Sequence, residues 1–265
     1  MLHIIDLDAY PLDQPDSDRY RKMVNDLAEK LDTDQVCTLP GFLRDNIRRE
    51  EIARAMEVLP QANPAHSYRN VYLERSKSEG LPDDHPRNIL AEASYKMLGA
   101  HLLPEDSAMK TLYRWDLFRS FVADVTGSNE LYPSADAYQP VNVLCHEPGD
   151  KSAWHFDSTN SFTMTLTLQS PEDGGVFEMS PNIRSAENPN LEGLAELLKG
   201  DRSTVKRFDR EDGALMMFRG CHSAHRVTEV RGYRPRLMCV MVYEDKPGVV
   251  GDPVVNETVY GVKPG

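Results

Sequence analysis

Residues 162–168 read Phe-Thr-Met-Thr-Leu-Thr-Leu, a run in which large apolar side chains alternate with threonine. Successive side chains of a β-strand point to opposite faces, so this period of two predicts a strand with one face in a core. The Gly174-Gly175 pair ends the segment, and another strand-like stretch begins at residue 176. Residues 162–168 therefore form the centre of a β-rich part of the chain.

Short strand-like segments continue on both sides of this run. They lie at residues 141–144, 205–208, 214–218, 224–230 and 237–243, and the later ones are separated by Asp-Gly, Arg-Gly and Gly-Tyr-Arg-Pro turn sequences. Short strands at such spacing are typical of an antiparallel sandwich or barrel. This half of the chain is therefore predicted to be mainly β.

The first half of the sequence has mainly helical periodicity. Helices are predicted from a cap at residues 16–18, and at 44–59, 89–102 and 109–125, with a loop at 61–88. No clear linker divides the chain. We expect a single domain with a helical and loop N-terminal layer (1–137), a β core (138–245) and a C-terminal tail (246–265).

Composition excludes several classes of protein. The 265 residues carry 30 Lys+Arg against 42 Asp+Glu, a net charge of −12, which disfavours a nucleic-acid partner. No apolar run approaches 18 residues, and the N-terminus has no secretory pattern. The four cysteines are scattered, as in a reduced cytosolic protein. We therefore expect a cytoplasmic enzyme or small-molecule binder, of unknown oligomeric state.

One histidine stands in a His-x-Asp motif, Trp154-His155-Phe156-Asp157. In a strand, His155 and Asp157 point to the same face and can reach one metal ion. By itself the motif is equally typical of a surface histidine beside a surface carboxylate.

A second motif follows about 70 residues later. It runs Phe-Arg-Gly-Cys-His-Ser-Ala-His-Arg-Val from residue 218, and then Gly-Tyr-Arg-Pro-Arg-Leu from residue 232. His225 or His222 would supply a third ligand, and Arg234 or Arg236 an anion-binding group. Two histidines and one carboxylate leave three positions open on a metal and suit non-haem Fe(II). A guanidinium suits bidentate binding of a carboxylate.

These motifs together resemble the iron(II)/2-oxoglutarate-dependent oxygenase superfamily. The resemblance covers roughly residues 138–245 and implies a double-stranded β-helix, or jelly-roll, core. It implies Fe(II), 2-oxoglutarate and O2 as cofactor and cosubstrates, with His155, Asp157 and His225 as the metal ligands. It implies that Arg234 binds the distal carboxylate of 2-oxoglutarate, with Arg236 as the alternative.

A narrower resemblance lies in HEPGDKSAWHFDSTNSF (146–162) and LTLQSPEDGG (166–175), which look like the bacterial free-amino-acid halogenases and hydroxylases of this superfamily. Halogenases of that group have Gly or Ala in place of the metal-binding carboxylate. This chain keeps Asp157, which implies a hydroxylase that oxidises an unactivated C–H bond and releases succinate and CO2.

The predicted substrate is a free amino acid or a close derivative, and the acidic surface mildly favours a basic one such as lysine. Two alternatives stay open. The same cofactors also serve desaturation, cyclisation or C–C cleavage, and a cupin-like barrel can bind a metal and a small molecule without redox chemistry.

Four further residues are candidate substrate contacts. Arg69 and Arg87 lie in predicted loops, where either could hold a substrate carboxylate, although a solvated surface arginine is the simpler interpretation. Trp154 is expected to pack beside the site, and Asn160 follows the metal motif. The Cys-His pairs at residues 145–146 and 221–222 lack the closed ligand set of a zinc site.

Overall fold

A computed structural model describes residues 3–157, 162–208 and 211–262. In these residues the helices are α1 (Asp18–Thr33), α2 (Asp45–Val58), α3 (Ala108–Tyr113), α4 (Asp116–Thr126), α5 (Leu191–Lys199) and α6 (Pro253–Tyr260), with 3-10 turns at Leu59–Gln61 and Ala100–Leu102. The strands are β1 (Val36–Leu39), β2 (Asn63–Arg69), β3 (Ala91–Leu98), β4 (Tyr132–Pro133), β5 (Val141–His146), β6 (Ser152–His155), β7 (Thr163–Gln169), β8 (Asp173–Gly174), β9 (Phe177–Ser180), β10 (Lys206–Phe208), β11 (Leu215–Phe218), β12 (Ala224–Val227), β13 (Val230–Arg231), β14 (Arg236–Met241) and β15 (Tyr243–Glu244).

Most strands belong to two antiparallel sheets. The larger sheet has the order β1-β11-β7-β14-β5-β3-β2, and the smaller has the order β10-β9-β12-β6. Strands far apart in sequence are neighbours in both, because β14 lies between β7 and β5, and β12 lies between β9 and β6. This interleaving is typical of a jelly roll. The predicted double-stranded β-helix core is therefore confirmed.

The two faces of the alternating strand β7 have different surroundings, the hydrophobic core on one side and a cavity on the other. Met164, Leu166 and Leu168 are buried in the main hydrophobic cluster, which also contains residues of α1, α2 and α4. Thr163 and Thr165 lie on the opposite face and line a cavity. The threonine spacing of the sequence thus forms one wall of that cavity.

The helical layer packs on the outer face of the large sheet. The Ser17 side chain caps α1 by accepting a hydrogen bond from the Tyr20 amide. The Tyr20 ring packs at 6.3 Å against Phe121 of α4, and the buried Phe118 contacts Phe42. Each such buried side chain contributes about 1.5–3 kcal/mol of transfer free energy. No helix in the described part of the chain is apolar over a length sufficient to cross a membrane.

Two expectations for the N-terminal half are wrong. Part of the predicted loop at 61–88 is strand β2, and most of the predicted helix at 89–102 is strand β3. The two strands pair over seven residues, and β3 also pairs with β5. Residues 91–98 include good helix formers, but sheet pairing in the folded protein overrides that local preference.

Helix α6 lies in the segment expected to be a tail. Its N-cap is Asp252, whose carboxylate accepts hydrogen bonds from two backbone amides, and Pro253 occupies the first helical position. At the other end, the Asn63 side chain donates to two carbonyl oxygens at 3.0 and 3.1 Å. Asn63 belongs to β2, so α6 is tied to the edge of the large sheet.

Candidate active site

The three predicted metal ligands lie together beside the smaller sheet. His155 ends β6 and is paired in register with His225 of β12, while Asp157 follows two residues after His155. One ligand atom from each side chain lies within 4.8 Å of the other two. Asp157 Oδ1 is 3.4 Å from His225 Nε2 and 3.8 Å from His155 Nε2. Strand pairing therefore brings together residues that are 70 positions apart.

Hydrogen bonds orient both imidazoles toward a common point. His155 Nδ1 is 2.8 Å from the Ala153 carbonyl oxygen, and His225 Nδ1 is 3.0 Å from that of Ser223. A carbonyl oxygen only accepts, so each Nδ1 carries a proton and Nε2 is the nitrogen left to bind a metal. This is the tautomer that a metal ligand requires.

Hydrogen bonds hold both the side chain and the backbone of Asp157. The Thr163 hydroxyl donates to Oδ2, and the Asp157 amide donates to the Gly220 carbonyl oxygen at 3.1 Å. The second carboxylate oxygen, Oδ1, faces the two histidines. The carboxylate is thus arranged to offer one oxygen to a metal.

The pKa values of these groups favour metal binding. Burial, followed by the charge of His225, lowers the pKa of His155 to about 4. Burial alone would raise the pKa of Asp157, but interactions with His225, His155 and Thr163 outweigh it and lower that pKa. At neutral pH the first group is neutral and the second ionised, the states in which they bind metals.

Gly220 provides the space that the Asp157 carboxylate occupies, since a Cβ there would overlap Oδ2. We expect Gly220→Ala to fold, because a side chain can move, but to lower metal affinity about 10- to 100-fold, as disturbed outer-shell contacts do. Calorimetric Mn(II) titration measures this.

Gly200→Ala is the control. Its added methyl group meets open space at a strained backbone position, so it should lower stability without changing Mn(II) affinity. Unchanged Mn(II) affinity in Gly220→Ala would show that the space beside Asp157 does not contribute to metal binding.

A cavity of about 390 Å³ lies between the two sheets and includes the three candidate ligands. From β14 it is lined by Arg236, Met238 and Val240, which share one face of that strand. Its volume falls within the range of small-molecule sites.

The structure places the two candidate anion-binding arginines differently. Arg236 is 3% exposed and lines the cavity, whereas Arg234 is exposed and is not part of the lining. Of the preferred Arg234 and its alternative Arg236, the structure therefore brings Arg236 to the cavity. The physical reason is Pro235, because the Arg-Pro step belongs to the turn and β14 begins only at Arg236.

Arg236 is a buried cation without a counter-ion among the described residues. Its Nη1 has no hydrogen-bond partner there, and burial lowers its pKa to about 10. An unpaired buried charge is costly, so the site fits an anionic ligand such as the distal carboxylate of 2-oxoglutarate. The ligand set His155, Asp157 and His225 fits Fe(II) by its chemistry.

Two of the four candidate substrate contacts lie at the cavity. Arg69 and Trp154 line the cavity, whereas Arg87 does not and instead forms a salt bridge with Glu74. Asn160 lies outside the described residues.

His222 and the Cys-His pairs do not join a metal site. Within residues 3–157, 162–208 and 211–262, the one group of three metal-ligating side chains is His155, Asp157 and His225. His222 and the Cys-His pairs at residues 145–146 and 221–222 are not in this group.

Two residues of the site, Thr163 and Gly220, were not predicted from the sequence. Thr163 was interpreted only as a strand residue, and Gly220 was not singled out. The short distance of Thr163 from Asp157 along the chain was the available signal for the first. The closeness of Gly220 to Asp157 depends on the fold and has no local signal.

Solved structures of several other proteins have a similar fold. A 2OG-Fe(II) oxygenase family oxidoreductase from Burkholderia pseudomallei has a TM-score of 0.53 and 16% identity, covering 85% of this chain and 92% of that one. A Pseudomonas putida prolyl-4-hydroxylase has a TM-score of 0.51 and 16% identity, covering 82% and 97%. A non-heme alpha ketoglutarate dependent carbocyclase from nogalamycin biosynthesis has a TM-score of 0.56 and 15% identity, covering 91% and 92%.

None of the curated proteins matches the sequence. The predicted relation to the iron(II)/2-oxoglutarate-dependent oxygenase superfamily is confirmed by the structural matches together with a family match. The Halogenase D family model matches residues 20–260, most of the chain, so this protein belongs to the Halogenase D family.

Proposed function

We propose that this protein is an Fe(II)- and 2-oxoglutarate-dependent oxygenase that hydroxylates a free amino acid or a close derivative. The observation that carries the proposal is the convergence of His155, Asp157 and His225 beside a cavity that also contains the buried, unpaired Arg236. When bound, Fe(II) and 2-oxoglutarate would supply oxidation of a C–H bond by O2, with succinate and CO2 as coproducts.

The charges of the proposed complex balance. Fe(II) with the Asp157 carboxylate carries a net +1, 2-oxoglutarate carries −2, and the Arg236 guanidinium adds +1. Neutrality matters because an uncompensated charge in a buried cavity is costly. Arg236 is therefore assigned the distal carboxylate of 2-oxoglutarate.

Aromatic side chains keep the ligand environment apolar. The rings of Phe218 and Phe177 pack at 5.0 and 5.6 Å from the His225 ring, and both phenylalanines line the cavity. They fix the imidazole orientation and exclude water from that side of the site.

Hydroxylation is proposed over halogenation because Asp157 is present. The halogenases that the sequence resembles have Gly or Ala at the corresponding motif position. Here the carboxylate is held by the Thr163 hydroxyl with Oδ1 toward the histidines. The coordination position that Asp157 occupies on the metal would then be unavailable to chloride.

The direct test incubates the protein with Fe(II), 2-oxoglutarate, O2 and a panel of amino acids in chloride buffer. We expect succinate release that depends on one or a few amino acids, and a product heavier by the mass of one oxygen atom. A chlorinated product would contradict hydroxylation, and absence of succinate with every substrate would contradict the oxygenase assignment.

A further inference from the structure

Arg184 is tied to the loop that precedes His225. Its Nε and Nη2 both donate to the Cys221 carbonyl oxygen, at 2.9 and 2.6 Å, and its backbone amide donates to the His222 carbonyl oxygen at 3.3 Å. Both carbonyl groups belong to residues 219–223, the loop between β11 and β12. Arg184 itself lies between β9 and α5 and is not part of the cavity lining. Any effect of Arg184 on the site must therefore pass through the residues that it contacts.

The 219–223 loop contacts two of the proposed metal ligands. The Gly220 carbonyl oxygen accepts a hydrogen bond from the Asp157 amide at 3.1 Å, and the Ser223 carbonyl oxygen accepts one from His225 Nδ1 at 3.0 Å. Outer-shell contacts of this kind orient metal ligands, and their loss lowers metal affinity. The position of the loop therefore sets the position of the carboxylate and of one imidazole.

The guanidinium of Arg184 also packs on the His-x-Asp motif. Its Cζ atom is 3.6 Å from the centre of the Phe156 ring, and Phe156 is the buried residue between His155 and Asp157. A planar guanidinium can stack on an aromatic face while its N–H groups donate hydrogen bonds at its edge. One side chain thus fixes the 219–223 loop against the segment that carries the other two ligands.

We propose that Arg184 is a positioning residue of the metal centre, which holds the loop that orients Asp157 and His225 against the motif that carries His155. Without this contact the anchors of both ligands would shift with the loop, and the three ligand atoms would no longer meet at one point. The inference rests on the proposed function, since it assumes that these three residues bind the metal.

The test is Mn(II) binding by Arg184→Met, a variant that keeps an apolar side chain on Phe156 but loses the planar cation and its donors. We expect the Mn(II) affinity, measured by calorimetric titration, to decrease roughly tenfold, the lower end of the effect of lost outer-shell contacts. The electron paramagnetic resonance spectrum of the bound Mn(II) should change as well, because it reports the arrangement of the ligands. A loss of stability alone would lower the Tm and leave that spectrum unchanged.

Arg202→Met is the matched control. Arg202 also lies over an aromatic ring, 5.5 Å from the centre of Trp154, and also donates to a carbonyl oxygen, but that oxygen belongs to Leu197 of α5. Its substitution should leave the Mn(II) affinity and spectrum unchanged. Arg184→Lys keeps a cation that can donate to the Cys221 carbonyl oxygen but lacks the planar face, so it should recover only part of the Mn(II) affinity.

The proposal is overturned if folded Arg184→Met binds Mn(II) with the affinity and spectrum of the wild-type protein, or if Arg202→Met loses as much affinity. If Arg184→Met does not fold, Arg184→Lys decides in its place, and wild-type affinity and spectrum in that variant overturn the proposal. These measurements do not depend on turnover. Failure of the proposed function would appear separately, as Mn(II) binding by the wild-type protein without succinate release in the presence of Fe(II), 2-oxoglutarate, O2 and amino acids.

Discussion

Arg236→Met should raise the KM for 2-oxoglutarate by at least a hundredfold while the protein stays folded. The variant would leave the distal carboxylate of 2-oxoglutarate buried without its cation, and breaking such a pair costs about 3–5 kcal/mol. That cost corresponds to a factor of roughly a hundred or more. Succinate release at varied 2-oxoglutarate concentrations measures the effect.

The stability of the same variant provides a second readout. In the ligand-free protein the Arg236 guanidinium is 3% exposed and its Nη1 lacks a hydrogen-bond partner in the described structure. Replacing an uncompensated buried charge with an apolar side chain is often neutral or stabilising. The Tm of the ligand-free Arg236→Met protein should therefore not decrease.

Arg234→Met is the matched control for this prediction. Arg234 is exposed and lies two residues before Arg236, so its substitution should leave the KM within about twofold, as expected for a screened surface charge. A large KM increase in Arg234→Met with little change in Arg236→Met would reverse the assignment of the two arginines.

Asp157→Gly should lose most hydroxylation and lower metal affinity by more than a hundredfold, a larger effect than removal of an outer-shell partner. The substitution removes the only carboxylate of the ligand cluster and leaves its two imidazoles. Mn(II) titration by calorimetry measures the affinity, and succinate release measures the residual reaction.

The same variant tests the choice between hydroxylation and halogenation. Without the carboxylate, the Thr163 hydroxyl loses its acceptor beside a space that chloride could enter. Product masses in chloride buffer would reveal any chlorination. Asp83→Asn is the control, because Asp83 is an exposed carboxylate paired with Lys77. Wild-type hydroxylation in Asp157→Gly would exclude Asp157 as a metal ligand.

The sequence predicted the β core and the cluster of metal-ligating side chains because both depend on local patterns. Alternation at residues 162–168 marks a strand with two different faces, and His-x-Asp places two side chains on one face. The pairing of His225 with His155 was expected only through the family resemblance, since no local pattern determines which strands become neighbours.

The choice between Arg234 and Arg236 could not be made from strand periodicity, because residues two apart share a face. The decisive feature is where the strand begins. Pro235 cannot donate a ladder hydrogen bond and restricts the preceding residue, which keeps Arg234 in the turn. This signal was present in the sequence and outweighs the spacing from His225.

Strands β2 and β3 were predicted incorrectly for a different reason. Local preference indicated a loop and a helix, but the two segments become strands because β2 pairs with β3 and β3 also pairs with β5. The error concerns the candidate site, because the end of β2 carries Arg69 to the cavity. Helix α6 had recognisable capping residues, Asp252 and Pro253, but nothing local showed that it would contribute to the cavity wall.

Helix α6 contributes Val259 and Tyr260 to the cavity yet belongs to neither sheet, and the side-chain amide of Asn63 ties it to β2. The side chains of this wall can therefore be replaced without disturbing the strands that bear the ligand cluster. We expect relatives with the same ligand cluster to differ in substrate through replacements at residues 259 and 260, and mutant libraries aimed at these two positions would test this expectation.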